Sequence, residues 1–193
     1  YSGLKVHMQG KGLLGMSSTK SENSILGITS ESGVKTWNTS FFVPASTYTK
    51  TTLDGKVSEI NTTLTIVDKG SKKYFAYPST KTDKDFDGNI VTSTYKYNTT
   101  YGYLEEEKAD FGNNMYKTTQ YSKHILAGNS YKPQLITSLQ KHSDDTSVHT
   151  TKTAFTYDAA KGYTKQIINN DGSTLKFTMD YTYDNIGNVL TSK

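Results

Sequence analysis

Residues 175–183 read LKFTMDYTY, and apolar and polar side chains alternate along them from first to last. The apolar residues at every second position are Leu175, Phe177, Met179, Tyr181 and Tyr183. Successive side chains of a β-strand point to opposite faces, so this period of two predicts a strand with one buried and one exposed face. The same alternation recurs in residues 34–37, 64–66, 92–97 and 153–157. Together these stretches predict an all-β fold.

Asp-Gly pairs lie between several of the predicted strands. They are Asp54-Gly55, Asp87-Gly88 and Asp171-Gly172. A two-residue turn of type I′ needs positive φ at both central residues, and Asp-Gly is among the pairs that adopt it most readily. The sequence therefore predicts a series of antiparallel hairpins.

Composition agrees with this fold class. The chain has 15 tyrosines, 15 glycines and only 3 prolines, and it is rich in threonine, so residues that favour strands and turns dominate. Residues 103–109 and 133–141 contain helix-favouring side chains, but neither stretch has a capping box or a clean helical period. We therefore expect both stretches to be strand or loop.

Charge and residue usage exclude several classes of function. Cysteine is absent, which excludes disulfides, cysteine-ligated zinc and cysteine nucleophiles. The net charge is +4, and all 22 basic residues are lysine. Arginine supplies the bidentate contacts to guanine and phosphate, so its absence argues against specific nucleic-acid binding. No apolar run approaches the roughly 18 to 20 residues of a membrane-spanning helix, so we expect no membrane span.

A short pattern of turn residues repeats along the chain. It is fullest in residues 183–189, YDNIGNV, and shortened relatives occur at residues 86–91, 110–115 and 157–162. Residues 181–190, YTYDNIGNVL, closely resemble the YD repeat, Y-x-Y-D-x-x-G-N, of the Rhs/YD-repeat family. Residues 10–16, GKGLLGM, look like the G-x-G-F-L-G-F segment that opens the repeat region in relatives of the toxin-complex B subunit.

The resemblance implies a particular architecture. Family members wind successive antiparallel hairpins into an extended, twisted or spiral sheet that forms a hollow shell, which encloses a toxin domain in bacterial members and stands as an extracellular barrel in teneurins. Residues 1–193 would then be one β region cut from a larger protein, with its clearest repeat at residues 181–193. The repeat-motif positions are Tyr181, Tyr183, Asp184, Gly187, Asn188, Asp87, Gly88 and Asn89.

This architecture also implies what the chain does and contacts. It would be a non-catalytic structural segment, without a cofactor, of a secreted or cell-surface bacterial protein, and its main partner would be the remainder of its parent polypeptide. The chain starts with neither an initiator methionine nor a signal peptide, which agrees with an internal segment. Stacked hairpins leave unpaired edge strands only at the two ends, so an excised piece could pair edge to edge with another copy.

Residues 83–90, DKDFDGNI, suggest an alternative, a calcium loop. Asp83, Asp85 and Asp87 alternate as the first ligands of such a loop do. The twelfth position, however, is Thr94 where a bidentate glutamate is needed, and the flanks have the pattern of strands. A hairpin turn is the interpretation that we favour over a metal site.

Candidates for catalysis are few. Glu105, Glu106 and Glu107 could supply the two carboxylates of a glycoside hydrolase, but neighbouring strand residues point to opposite faces. His142-Ser143-Asp144 contains the residue types of a hydrolase triad, but without a G-x-S-x-G elbow. The four histidines, His7, His124, His142 and His149, lack the spacing of metal ligands. We therefore expect the chain not to be an enzyme.

Tyrosines offer the main alternative to a structural role. Tyr95, Tyr97, Tyr101 and Tyr103 share one parity around a bend at Gly102. Aromatic side chains on an exposed sheet face can stack on sugar rings, whereas on a packed face they fill the space between strands. Packing is the interpretation that we favour, and a glycan-binding or adhesion module is the alternative.

Overall fold

The computed structural model describes residues 2–7 and 12–193, and these contain fourteen β-strands and no helix. The strands are β1 (Ser2–His7), β2 (Gly12–Asn23), β3 (Ile28–Asn38), β4 (Val43–Leu53), β5 (Lys56–Asp68), β6 (Tyr74–Lys84), β7 (Ile90–Tyr97), β8 (Leu104–Gly112), β9 (Met115–Ala127), β10 (Ser130–Lys141), β11 (His149–Tyr157), β12 (Thr164–Asn169), β13 (Phe177–Tyr183) and β14 (Val189–Ser192). The prediction of an all-β fold is confirmed. None of the described residues forms a helix that could cross a membrane.

Within each unit of the chain, strands that are neighbours in the sequence pair with each other, and strand order follows chain order. The chain divides into two units: unit 1 contains Tyr1–Tyr95 and Ala109–Gly112, and unit 2 contains Lys96–Lys108 and Asn113–Lys193. In unit 1 the pairs from β1·β2 to β6·β7 are antiparallel. In unit 2 the pairs from β9·β10 to β13·β14 are antiparallel as well. The predicted series of hairpins is confirmed.

The two stretches with helix-favouring side chains are strands. Residues 104–109 belong to β8, and residues 133–141 belong to β10. Without a cap or a helical period, β8 and β10 gain their hydrogen bonds from pairing with neighbouring strands. Of the segment 10–16, residues 10 and 11 lie outside the described residues, so its likeness to a repeat opening stays a prediction.

The three Asp-Gly pairs all connect strands, but only one forms a type I′ turn. Asp54 and Gly55 have φ of 50° and 78°, as that turn requires. At Asp87-Gly88 only the glycine has a positive φ, because the Gly88 N–H binds the Asp85 carbonyl in a longer turn. Asp171-Gly172 lies within a seven-residue connection in which the Ser173 N–H binds the Asn170 carbonyl. The type I′ geometry was therefore the wrong inference for these two pairs.

Few side chains are fully buried. Among the residues whose side chains are described, only Thr118, Ala127 and Gly162 are buried, with Ala127 1% exposed and Thr118 9%. The accessible surface is 12576 Å². A compact monomer of 21.4 kDa exposes about 9,100 Å² by the usual size scaling. Most apolar side chains on the described strands are half-buried.

The predicted strand 175–183 is shorter than its pattern suggests. It begins at Phe177, and the supposedly buried Leu175 and Phe177 are 83% and 58% exposed. Met179, Tyr181 and Tyr183 are half-buried, as the alternation predicts. The difference has a physical cause, because a strand extends only as far as it has a partner. The last pair between β12 and β13 is Asn169 with Phe177, so β13 begins at Phe177.

Candidate functional site

The turn at residues 184–188 is organised by the carboxylate of Asp184. Its Oδ1 accepts hydrogen bonds from the backbone N–H groups of Ile186 (2.9 Å), Gly187 (2.7 Å) and Asn188 (2.8 Å). Its Oδ2 accepts one from the Asn188 side-chain amide at 2.8 Å. One aspartate thus satisfies the donors of a whole turn, which explains why aspartate, glycine and asparagine occur together in this motif.

The turn at residues 85–89 repeats this arrangement. Asp85 Oδ1 accepts hydrogen bonds from the backbone N–H groups of Asp87 and Asn89, both at 2.9 Å. Asp85 Oδ2 accepts one from the Asn89 side-chain amide at 2.7 Å. The residue equivalent to Asp184 is therefore Asp85, and not Asp87 as the sequence motif predicts.

The carboxylates of the suggested calcium loop have other partners. Asp85 is engaged by its own turn, Asp87 Oδ1 lies 2.7 Å from Lys56 Nζ, and Asp83 Oδ2 lies 3.4 Å from Lys81 Nζ. In the described part of the chain, no group of three or more histidine, aspartate or glutamate side chains is arranged to hold a metal ion. The aspartates at alternate positions are accounted for by a turn and two surface ion pairs.

Hydrogen bonds also lower the pKa of the turn aspartates. The side-chain amide of Asn188 is the main cause for Asp184, and that of Asn89 is the main cause for Asp85. Backbone amides act in the same direction, because donors that point at a carboxylate stabilise its charged form. Both turns are therefore held by ionised aspartates at neutral pH.

A tyrosine before the aspartate ties two of the turns to the preceding strand. The Tyr183 hydroxyl donates to the Thr164 carbonyl at 2.7 Å, and the Tyr157 hydroxyl donates to the Pro133 carbonyl at 2.9 Å. Asp158, which follows Tyr157, accepts hydrogen bonds from the backbone N–H groups two and three residues further on. The Tyr-Asp pair therefore combines an anchor on a neighbouring strand with the cap of a turn.

Each Tyr-Asp turn also has a glycine close to another residue. A β-carbon at Gly187 would lie 2.5 Å from the Tyr163 hydroxyl oxygen. A β-carbon at Gly162 would lie 2.8 Å from the Ala127 carbonyl oxygen, beside the most buried apolar side chain of the described residues. Both glycines have positive φ, so conformation and space require glycine at each position.

Four aromatic rings lie together in unit 2, and we refer to Tyr101, Tyr103, His124 and Tyr131 as the aromatic cluster. The Tyr103 and His124 rings are stacked with centroids 3.8 Å apart. The Tyr131 ring lies 4.6 Å from that of Tyr101 and 5.4 Å from that of Tyr103. Tyr101 is 58% exposed, so the cluster presents one largely open ring.

The other two tyrosines of the suggested glycan face are not part of the aromatic cluster. Tyr95 and Tyr97 are on β7, and both are half-buried. Tyr101 follows them in the turn at residues 98–102, where Asn98 Oδ1 accepts hydrogen bonds from the backbone N–H groups of Thr100 and Tyr101. The structure thus brings Tyr101 and Tyr103 together, and it adds His124 and Tyr131, which the parity of a single stretch could not reveal.

An open groove of about 470 Å³ borders the aromatic cluster. Tyr103 and His124 line it together with the polar side chains Lys96, Glu105, Glu106 and Gln120. The Gln120 side-chain amide donates to Glu106 Oε2 at 2.9 Å, and the Asn98 side-chain amide donates to Glu105 Oε1 at 3.2 Å. Two of the three glutamates, Glu105 and Glu106, therefore border one groove, each with an amide partner, although neighbours on a strand are expected to point to opposite faces; Glu107 does not line it.

The suggested triad residues are arranged differently from a triad. His142 donates its backbone N–H to Asp145, and its ring nitrogen Nε2 lies 3.1 Å from the Gln140 amide nitrogen. Asp145 Oδ2 also lies 3.2 Å from His149 Nε2. The aspartate that joins the two histidines is thus Asp145 and not Asp144, and Ser143 has no part in the contacts that define this group.

Comparisons with known proteins are sparse. Neither a protein-family model nor a curated protein sequence matches the chain. Among solved structures, a porin-like protein from Bacteroides uniformis is similar over 91% of this chain and 86% of its own, with 16% identity and a TM-score of 0.38. At that TM-score the likeness carries no weight for fold or for function.

Proposed function

We propose that this chain is a non-catalytic structural segment of a secreted or cell-surface bacterial protein of the Rhs/YD-repeat type, and that it contributes β-hairpins to a shell or scaffold. The observation that carries the proposal is the shared construction of its Tyr-Asp turns. In two of them the tyrosine hydroxyl binds a carbonyl of the preceding strand while the next aspartate caps the turn.

The pairing of the strands supports the same role. Within each unit, strands pair with their neighbours in the sequence, which is the arrangement expected of a quasi-one-dimensional array. Such an array grows by adding hairpins and needs no enclosed core. The small number of buried side chains among those described agrees with this way of building.

Strand β14 is an exposed edge strand with apolar side chains. All four residues of β14 are exposed, and among them Val189 and Leu190 are apolar. A strand with an open edge and apolar side chains is a template for a further strand. In the proposed parent protein, the next hairpin would cover β14.

The decisive experiment is a cryo-EM structure of the parent polypeptide. We expect a further strand that pairs with β14, followed by another turn in which an aspartate caps the backbone N–H groups. A helical or unrelated domain covering β14 would contradict the proposal. A crystal structure of residues 1–193 alone serves as the reference for the hairpins within the chain.

An activity assay tests the non-catalytic part of the proposal. We expect no hydrolysis of chromogenic glycosides by the wild type beyond that of the double variant Glu105→Gln, Glu106→Gln. These substitutions keep the shape of both side chains and remove their charge. Turnover that the double variant abolishes would establish a glycoside hydrolase instead.

A further inference from the structure

The groove beside the aromatic cluster has the composition of a ligand site. Its volume of about 470 Å³ falls within the range of small-molecule sites. Aromatic rings form part of its wall, and charged, amide and hydroxyl side chains form the rest. A sugar presents the complementary surface, with C–H groups on the faces of its ring and hydroxyls around its edge.

The charges around the groove are balanced. Glu105 and Glu106 border it, and so do Lys96 and Lys123. An anionic ligand would meet two carboxylates, and a cationic ligand would meet two ammonium groups. A neutral ligand with many hydroxyls can use both signs, because each hydroxyl donates to a carboxylate or accepts from an ammonium group.

The platform is fixed before any ligand arrives. Asn98 holds the turn that carries Tyr101, and its side-chain amide also donates to Glu105 in the groove wall. The Tyr101 ring is nearly parallel to that of Tyr103, with an interplanar angle of 5° and centroids 6.2 Å apart. Rings held in one orientation lose little entropy on binding, which favours affinity.

His124 adds an uncharged ring beneath Tyr103. Burial is the main cause that lowers the pKa of His124, partly opposed by the nearby Glu105 carboxylate and a hydrogen bond with the Leu104 backbone. The next residue towards the N-terminus, Lys123, has a φ of 53° within strand β9. A left-handed lysine in a strand is strained, and such strain is often found at functional sites.

We propose that this groove binds a neutral oligosaccharide, with one sugar ring stacked on the exposed face of Tyr101 and the next ring held among Glu105, Glu106 and Gln120. This binding function goes beyond the structural role and is independent of it. The hairpin array would supply the rigid support, and the aromatic cluster would supply the recognition.

The test is a titration of the whole chain with defined neutral oligosaccharides, namely hexamers of α-glucose, β-glucose, β-xylose and β-mannose. Isothermal calorimetry measures affinity, and NMR shift changes locate the site. We expect at least one hexamer to bind and to shift the signals of Tyr101, Tyr103 and Gln120. Failure of all four hexamers to bind would overturn the proposal.

Matched variants assign the binding to Tyr101. We expect Tyr101→Ala to weaken affinity about tenfold, the equivalent of a good aromatic contact. Tyr101→Phe should retain most of the affinity, since it keeps the ring. The control is Tyr74→Ala in unit 1, which removes another exposed tyrosine outside the cluster and should leave affinity unchanged.

Two further outcomes would count against the proposal. Equal affinity of wild type and Tyr101→Ala would show that the sugar lies elsewhere. Tighter binding of heparin than of every neutral hexamer would show a site for anions and would refute the argument from balanced charge. Circular dichroism of each variant confirms that lost affinity does not come from lost structure.

Discussion

The turns at residues 85–89 and 184–188 use the same three motif residues in different surroundings. In both, the aspartate N–H binds the asparagine carbonyl at 3.0 Å, and the glycine N–H binds the aspartate carbonyl at 3.2 or 3.3 Å. A β-carbon at Gly88 would meet open space, whereas one at Gly187 would meet the Tyr163 ring. The hydrogen-bonded turn is thus local, and its packing depends on neighbouring strands.

The residue before the aspartate also differs between the two turns. Tyr183 precedes Asp184 and reaches the Thr164 carbonyl, whereas Lys84 precedes Asp85. A turn of this kind can therefore form without its tyrosine. D-x-x-G-N therefore encodes the turn, and the tyrosine fastens it to the adjacent strand.

The largest loss of stability should come from substitution of the turn glycines, Gly88 and Gly187. Both have positive φ, so Gly88→Ala should cost about 1–2 kcal/mol through backbone strain alone. We expect Gly187→Ala to cost about 2–4 kcal/mol, since its β-carbon also displaces the Tyr163 ring. Hydrogen exchange of the β6–β7 and β13–β14 amides measures each loss. Equal costs, or a cost at Gly187 that persists beside Tyr163→Ala, would contradict the packing argument.

Removal of the turn carboxylates should have the next largest effect. Asp184→Ala removes the side-chain acceptor of three backbone N–H groups and of the Asn188 amide, and Asp85→Ala removes that of fewer donors. We expect several-fold faster hydrogen exchange in each hairpin, more so for Asp184→Ala. Asn188→Ala in the Asp184→Ala background is the control, because it should add little. An additive loss would mean that the two side chains act separately.

Acid should weaken both turns. The folded-state pKa of Asp85 and of Asp184 is lowered, so each contributes stability above the unfolded pKa of about 3.9 and loses it as pH falls through the folded value. We expect amide exchange in both hairpins to rise as pH falls below about 4, after correction for intrinsic exchange. The double variant Asp85→Asn, Asp184→Asn should lack this dependence. A wild type as insensitive as the variant would be inconsistent with ionised turn aspartates.

The smallest loss of stability should come from breaking the ion pair at the turn of residues 85–89, which the turn at residues 184–188 lacks. Lys56 Nζ and Asp87 Oδ1 are 2.7 Å apart, and both side chains are exposed. Exposed pairs contribute little, so Lys56→Ala should change the free energy of unfolding by less than about 1 kcal/mol. Urea denaturation measures it, with Lys20→Ala at another exposed pair as the control. A larger loss of stability specific to Lys56→Ala would indicate that a contact outside the turn at residues 85–89 stabilises it.

Much of the fold follows from local pattern. Alternation in residues 92–97 and 153–157 predicts strands that lie within β7 and β11, and Asp54-Gly55 predicts the type I′ turn that occurs. These features depend on a few adjacent residues. The exposure of Leu175 could not be predicted, because burial depends on which strand is opposite.

The candidate site was predictable only in part. Tyr101 and Tyr103 are close in sequence, and their parity marks them as neighbours. His124 and Tyr131 lie on other strands, and only the register of β9 and β10 brings them to the same place. Asp85 is less apparent in the sequence, because D-x-x-G-N starts two residues before the shorter D-G-N at Asp87.

The scarcity of buried side chains among the described residues has a consequence for how this protein responds to temperature. The heat capacity change of unfolding comes mainly from newly exposed apolar surface, and a typical domain gains about 12–15 cal/mol/K per residue. Side chains such as Ile186 and Leu175 are already largely exposed in the folded state. The heat capacity change per residue should therefore be small, so the stability curve is shallow and cold unfolding lies far from the temperature of maximum stability.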